Sequence, residues 1–278
     1  MQITEALKWA VSQLSDSDSA GIDARILLCT VIDKPQTYLF TWPEHELSAN
    51  EKARFEALVR QRADGQPVAY LTGTRAFWSL TLHVSPTTLI PRPETELLVE
   101  QALARLPVGQ ARVCDLGTGT GAIALAIASE RPDVAVTGVD RVADAVELAR
   151  RNARYNHIEN AVFAHSHWFD SLTGQTFSMI VSNPPYVEQN SHYLAEGDVR
   201  FEPASALTAG ADGLDDIRYI IAQAPAHLKS DGWLLLEHGY NQAQSVQALL
   251  QQQGFHDITT VNDLAGQPRV TLGRRGER

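Results

Sequence analysis

With 278 residues and a formal net charge of −10, from 23 Lys and Arg against 33 Asp and Glu, the chain can hold a catalytic domain and a smaller companion, and it lacks the basic excess that phosphate neutralisation on nucleic acid requires. Its 44% hydrophobic and 20% charged residues are an ordinary globular balance without low-complexity tracts, so disorder is expected only over residues 274–278. Cys29 and Cys114 sit in apolar stretches that read as core rather than as a disulfide or metal pair, and without a signal pattern or an apolar run near the ~20 residues that span a bilayer, a soluble cytoplasmic protein is expected.

Residues 1–75 carry helical spacing, with Ile3, Leu7, Ala10, Val11 and Leu14, then Ile26, Leu27 and Ile32, then Phe55, Leu58 and Val59. Three helices forming a small bundle are expected, the third opened by a capping box of Ser48 and Glu51. This segment has 8 basic and 10 acidic residues, so it is no basic clamp. Residues 76–93 read as a hairpin and a proline-rich linker, because residues 77–84 alternate and Pro86, Pro91 and Pro93 force extended chain. Glu94 and Glu96 after Pro93 suit the first turn of a helix, where carboxylates meet the positive end of the dipole, better than a catalytic carboxylate pair.

Residues 94–278 form the second domain. Strands are expected at residues 112–116, 134–140, 161–164, 177–182, 233–237, 258–261 and 269–272. Helices are expected at 122–130, 143–156, 217–228 and 242–253. Such alternation builds an α/β fold, a mostly parallel sheet with helices on both faces, which binds ligands at the carboxyl ends of its strands.

The first strand runs into Asp115-Leu116-Gly117-Thr118-Gly119-Thr120-Gly121, a loop whose glycines permit a sharp turn and close approach of a ligand. Gly117, Gly119 and Ala122 also satisfy a dinucleotide fingerprint, with Asp140 at the distance of a ribose-binding acid. Charge separates the two ligands. A carboxylate at Asp115 repels a pyrophosphate, whereas S-adenosylmethionine brings a sulfonium and an ammonium that it attracts. Asp140 is then the acceptor for both ribose hydroxyls, the alternative being a helix N-cap. Trp168 is open between an adenine contact and core packing. His165 and His167 lack further ligands at metal spacing and read as loop histidines, so no metal is expected.

After the fourth strand comes Asn183-Pro184-Pro185-Tyr186. The prolines fix their own φ and hold the local carbonyls in preset directions. An amide or exocyclic amino nitrogen is a poor nucleophile because its lone pair is delocalised. The Asn183 side-chain oxygen and the Pro184 carbonyl can accept both hydrogens of an NH2 group and stabilise the charge that develops on it, while Tyr186 lies against the planar group. The bland reading is a strand-ending turn.

The chain resembles the release-factor glutamine methyltransferases, the PrmC or HemK family. The likeness is carried by residues 67–73 (PVAYLTG), 89–96 (LIPRPETE), the glycine loop, the tetrad, and Arg200-Phe201-Glu202-Pro203. It covers nearly the whole length. It implies a Rossmann-like class I methyltransferase domain with a seven-stranded sheet, an N-terminal helical substrate-recognition domain, S-adenosylmethionine as methyl donor, and a protein substrate: the glutamine of the Gly-Gly-Gln motif in class I peptide chain release factors. By motif, Asp115, Gly117, Thr118, Gly119, Thr120, Gly121, Asp140, Trp168 and Asn183 would contact the cofactor. Asn183, Pro184, Pro185 and Tyr186 would hold the amide, with Asn183, Pro184 and Tyr186 as the catalytic set. Where many relatives have an acid before the tryptophan, this chain has His167.

Two other readings compete. The tetrad suits any planar NH2, including adenine or guanine amino groups in DNA or RNA; the acidic charge and the non-basic N-terminal segment speak against direct nucleic-acid binding. A non-catalytic binding module of translation would not need an intact glycine loop and tetrad.

Overall fold

The computed structural model describes residues 1–276. Part of the tail expected to be disordered is ordered, because Arg274 and Arg275 complete a strand; residues 277–278 lie outside the described residues. The chain divides into two compact units, residues 1–74 with 195–201, and residues 75–194 with 202–276.

The first unit holds α1 (Ile3–Gln13), α2 (Ala20–Ile32), α3 (Gln36–Thr41), α4 (Ala49–Ala63) and α5 (Val68–Thr72). Apolar residues at helical spacing form its core, with Ile3, Ala6, Ala10, Leu27, Leu28, Phe55 and Val59 fully buried. Ser48 caps α4 as expected, its hydroxyl accepting from Glu51 N at 3.2 Å while the Glu51 carboxylate accepts from Ser48 N at 2.8 Å. The expectation of three helices missed α3 and α5, which at six and five residues are too short to show a period. It also missed residues 195–201. Arg62 holds that segment to the helices, donating to buried Asp23 at 2.8 Å and to Asp198 at 2.9 Å.

The second unit begins with a two-stranded hairpin of β1 (Thr74–Phe77) and β2 (Leu80–His83). A 3-10 turn at Pro93–Thr95 then leads into α6 (Glu96–Arg105). Pro93 sits at its start, as expected of a residue without an N–H to lose, and Glu96 accepts from Trp78 N at 2.8 Å. There follow β3 (Ala111–Leu116), α7 (Ala122–Glu130), β4 (Val134–Asp140), α8 (Ala143–Tyr155), β5 (Ala161–His165), β6 (Phe177–Ser182), α9 (Asp215–His227), β7 (Leu228–Glu237), α10 (Ala243–Gln252), β8 (Phe255–Asn262) and β9 (Pro268–Arg275). The seven strands after the hairpin form one sheet in the order β5-β4-β3-β6-β7-β9-β8, in which only β9 runs antiparallel to its neighbours.

Central strands β3 and β6 are almost continuously buried because helices cover both faces. Helix α7 is apolar all round, with every residue from Ala122 to Ala128 buried, and lies in the core on one face; α9 and α10 pack Ile217, Ile220, Ile221, Val246 and Leu250 into the other. The largest departure from expectation is at the last three strands, which run four to five residues longer than the apolar stretches that flagged them. In β8 and β9, hydrogen bonding between antiparallel neighbours extends pairing past the point where side chains stop being buried, whereas β7 gains residues at its start, where Leu228 pairs with Phe177 of the parallel β6.

Strand order fixes where a ligand can sit. From β3 the chain winds outward through β4 and β5, then returns to place β6 on the other side of β3. The loops leaving β3 and β6 therefore diverge, opening a crevice at the carboxyl ends of these two strands. Those loops are the glycine loop and the tetrad.

Candidate active site

The crevice is a cleft with about 910 Å³ of empty space, part of it open to solvent. Of the residues expected to form the site, Gly117, Thr118, Gly119, Thr120, Asp140, Trp168, Asn183 and Pro185 line it. Asp115, Gly121, Pro184 and Tyr186 are not part of its lining.

Gly121 sits at φ +84, where an added Cβ would lie 3.2–3.3 Å from Ala149, Leu125 and Phe163, so its role is to let the chain turn into α7 against a packed core. Gly119, at φ +55, instead leaves its Cβ direction nearly open. The loop is clamped from outside by Asn152 of α8, fully buried, whose amide donates to Thr120 O at 2.9 Å and to His83 O at 3.0 Å and accepts from His83 N at 2.7 Å.

Asp140 lines the cleft two residues ahead of Val142, the N-cap residue of α8, so it is not itself the cap. One carboxylate oxygen accepts from Gly119 N and the other from Val142 N, both at 2.9 Å. It thus braces the glycine loop and the entry to α8, and each oxygen keeps a lone pair for a further donor. Trp168 is 6% exposed within a core cluster and lines the cleft from a left-handed backbone at φ +47. Its side chain lies beside Asp216, whose carboxyl is pushed up by burial and pulled back down by the Trp168 side chain. His165 is not in a loop but ends β5, with Nε2 2.9 Å from Arg141 O. His167 lines the cleft with its side chain about half exposed, its Nδ1 3.9 Å from Asp170.

Asp115 needs correction. It was expected beside a bound cation, but it is fully buried beneath the loop, one oxygen accepting from Thr118 Oγ1 at 2.6 Å and Ala124 N at 3.3 Å, the other without a hydrogen-bond partner. Burial pushes its carboxyl up to about 7 against the pull of those donors, and the nearby Asp140 charge adds to the rise. Any attraction it exerts acts through the loop.

On the other side of the cleft, Asn183 donates from Nδ2 to Thr95 Oγ1 at 3.2 Å, which leaves its side-chain oxygen as the free acceptor. Pro184 is buried behind it. Tyr186 turns away from the cleft lining, its hydroxyl 3.3 Å from Glu237 Oε1, its N–H donating to Leu207 O at 3.1 Å, and its carbonyl accepting from Gln242 Nε2 at 3.0 Å. Burial, aided by the Glu237 charge, pushes the phenol up, so it stays a donor.

Other parts of the cleft lie outside the residues that the sequence pointed to as the site. Thr87, Thr88, Leu89 and Arg92 come from the proline-rich linker and Arg141, Ser205 and Ala206 from loops. Arg92 is held by a 2.5 Å ion pair to the buried Glu202, which couples two of the segments that carry the family resemblance. Among the described residues, no cluster of His, Cys, Asp or Glu could hold a metal, and no helix is long and apolar enough to cross a membrane.

Two family models match the chain, the PrmC N-terminal domain over residues 5–73 and the methyltransferase small domain over residues 93–211. Release factor glutamine methyltransferase of Pseudomonas aeruginosa is 56% identical over 263 residues, covering 95% of each chain. The Escherichia coli enzyme of the same description is 51% identical, covering 99% of each chain. Among solved structures, a methyltransferase from Pyrococcus furiosus superposes with a TM-score of 0.55 at 18% identity, over 73% of this chain and 92% of that one. A Thermus thermophilus 16S rRNA methyltransferase in complex with AdoMet and guanosine gives 0.53 at 24% identity, over 73% of this chain and 49% of that one. The two superpositions establish the fold.

Proposed function

The chain belongs to the release factor glutamine methyltransferase family, and from that premise we propose that it methylates the side-chain amide nitrogen of the glutamine in the Gly-Gly-Gln motif of class I peptide chain release factors. S-adenosylmethionine is the methyl donor. The observation that carries the proposal is that the glycine loop and Asn183 line one cleft at the switch point of the sheet.

The cleft residues fit the donor. Asp140 has a lone pair on each oxygen for vicinal hydroxyls, Trp168 offers a flat apolar wall, and Gly119 leaves room beside it. Bound there, S-adenosylmethionine supplies a methyl carbon made electrophilic by a positively charged sulfur. The protein's task is to present the nucleophile. The Asn183 oxygen accepts one N–H of the glutamine amide and turns its lone pair out of conjugation, and the same bond strengthens as positive charge grows on nitrogen. The Pro184 carbonyl is the acceptor that the resemblance implies for the second N–H, although Pro184 lies outside the cleft lining. No strong base is required, since the methylated nitrogen is acidic enough to lose its proton to water. Tyr186 acts from behind, holding the tetrad in place rather than covering the substrate.

Two glycines offer little surface to bind, and ordering them costs roughly 1–2 kcal/mol per residue. Affinity for a release factor must come from elsewhere on that protein. The helical unit is the source we assign, with Phe40 at 70% and Trp42 at 58% exposure at and after α3 as anchors.

Transfer of labelled methyl from S-adenosylmethionine to an intact release factor, to the same factor with Gln→Ala in Gly-Gly-Gln, to duplex DNA and to ribosomal RNA tests the proposal. Label should appear only on the unaltered factor, at that glutamine. Faster labelling of either nucleic acid would overturn it.

A further inference from the structure

Thr95, Asn183, Tyr186 and Glu237 lie far apart in sequence yet meet at one edge of the cleft. Ser182 pairs with Leu236 across β6 and β7, so the residues that follow, Asn183 and Glu237, leave the sheet side by side. Glu237 is 1% exposed, and its Oε2 has no hydrogen-bond partner. Its carboxylate accepts from the Tyr186 hydroxyl at 3.3 Å and lies beside the Thr95 side chain, which favours its charged form, while the Thr95 oxygen accepts from Asn183 Nδ2 at 3.2 Å. A buried acid with an orphaned oxygen is costly to keep, and nothing in the methyl transfer described so far uses it.

Its chemistry supplies a use. An ionised carboxylate accepts hydrogen bonds and cannot donate. Thr95 must then point its hydrogen at Glu237, leaving only lone pairs for Asn183. Asn183 in turn must offer Thr95 its NH2, so its oxygen faces the cleft. Without that constraint a hydroxyl can donate as well as accept, and the amide could turn its NH2 toward a substrate NH2 that also only donates.

Resting on the proposed amide methylation, we infer that Glu237, acting through Thr95, is a positioning residue that fixes the polarity of the Asn183 amide so that oxygen meets the substrate. Protonating Glu237 makes it a donor to Thr95 and releases the constraint. The charged and titratable groups around it are Arg269 on β9, Glu94 ahead of α6, Tyr186 after β6 and its own neighbour His238. Burial raises the carboxyl to about 7, so the polarity is held above that pH and lost below it.

The test is kcat for a release factor between pH 6 and 8.5 at saturating S-adenosylmethionine, on full-length wild type, Glu237→Gln, Thr95→Val and Thr95→Ser. Wild-type kcat should fall as pH drops through about 7. Glu237→Gln should lose at least tenfold at pH 8, with KM for both substrates within threefold, and the fall near pH 7 should be absent. Asp115 titrates in the same range, so the difference between the two profiles isolates Glu237. Thr95→Val should lose as much as Glu237→Gln, Thr95→Ser should stay within threefold of wild type, and the Glu237→Gln/Thr95→Val double variant should be no slower than the worse single one. The threonine pair keeps the test decisive if Glu237→Gln folds poorly. Wild-type kcat and pH dependence in Glu237→Gln, equal rates for Thr95→Val and Thr95→Ser, or single effects that multiply in the double variant would overturn the inference. If wild type leaves the release factor unlabelled, the functional reading fails and this one falls with it. If wild type labels it and the variants do so equally fast, only this inference fails.

Discussion

The two sides of the cleft are built in opposite ways. On the glycine-loop side, Asp115, Thr118, Gly119, Asp140 and Val142 satisfy one another within 28 positions of chain, mostly through backbone groups fixed by β3 and β4. On the tetrad side, Asn183, Thr95, Tyr186 and Glu237 span more than 140 positions and interact through side chains alone. The first is a rigid receptor made by folding two adjacent strands. The second is a chain of donors and acceptors, correct only when every member points the right way. Loss of one member should therefore weaken binding on the first side and slow chemistry on the second.

The largest expected effect tests the second side. Asn183→Ala should lower turnover about a hundredfold, about 2.7 kcal/mol of transition-state stabilisation, with the S-adenosylmethionine dissociation constant within threefold of wild type. Steady-state kinetics and calorimetric titration together check it; a large affinity loss would place Asn183 on the donor side instead. Asp140→Ala should do the reverse. Cofactor affinity should fall by ~1.5–3 kcal/mol, roughly 10- to 150-fold, while the single-turnover rate at saturating cofactor stays within a few-fold. An unchanged dissociation constant in a folded variant would remove Asp140 from the donor site.

A smaller effect concerns the helical unit. Phe40→Ala combined with Trp42→Ala should raise KM for the intact release factor about five- to tenfold, ~1–1.4 kcal/mol, and leave KM for a short Gly-Gly-Gln peptide unchanged. Equal effects on both substrates would place recognition elsewhere. The smallest effect is on stability. Because the Asp115 carboxyl rises from 3.8 to about 7 on folding, the native state binds more protons than the unfolded one between those values, and stability falls as pH climbs through that window. Asp115→Asn removes this cost. Calorimetry should show Tm raised by a few degrees at pH 8, ~2–4 °C for each kcal/mol released, and little changed near pH 4. A gain of equal size at both pH values would show that the charge is not responsible.

The same contrast explains what was legible in the sequence. The glycine loop, Asp140 and the strand-helix alternation could be read because their partners lie nearby and backbone geometry dictates the residue types. Asn183 could be read for its place after an apolar strand. Glu237 and Thr95 could not, because each looks ordinary locally, one ending a strand and the other closing a helix's first turn, and only the pairing of β6 with β7 brings them together. Asp115 was read as a charge because the sequence shows a carboxylate but not its burial. Tyr186 was placed over the substrate for the same reason: the tetrad fixes the backbone direction, whereas the side chain follows Glu237.

The two sides of the cleft should work independently, one gripping the donor and the other presenting the nucleophile. A double-mutant cycle of Asp140→Ala and Asn183→Ala, read as kcat/KM for S-adenosylmethionine with a release factor as acceptor, tests this most directly. The two residues share no hydrogen-bond partner. Their losses should therefore multiply, with a coupling energy within about 0.5 kcal/mol of zero. A double variant no worse than Asn183→Ala alone would contradict the account, because it would mean that the two sides act as one unit.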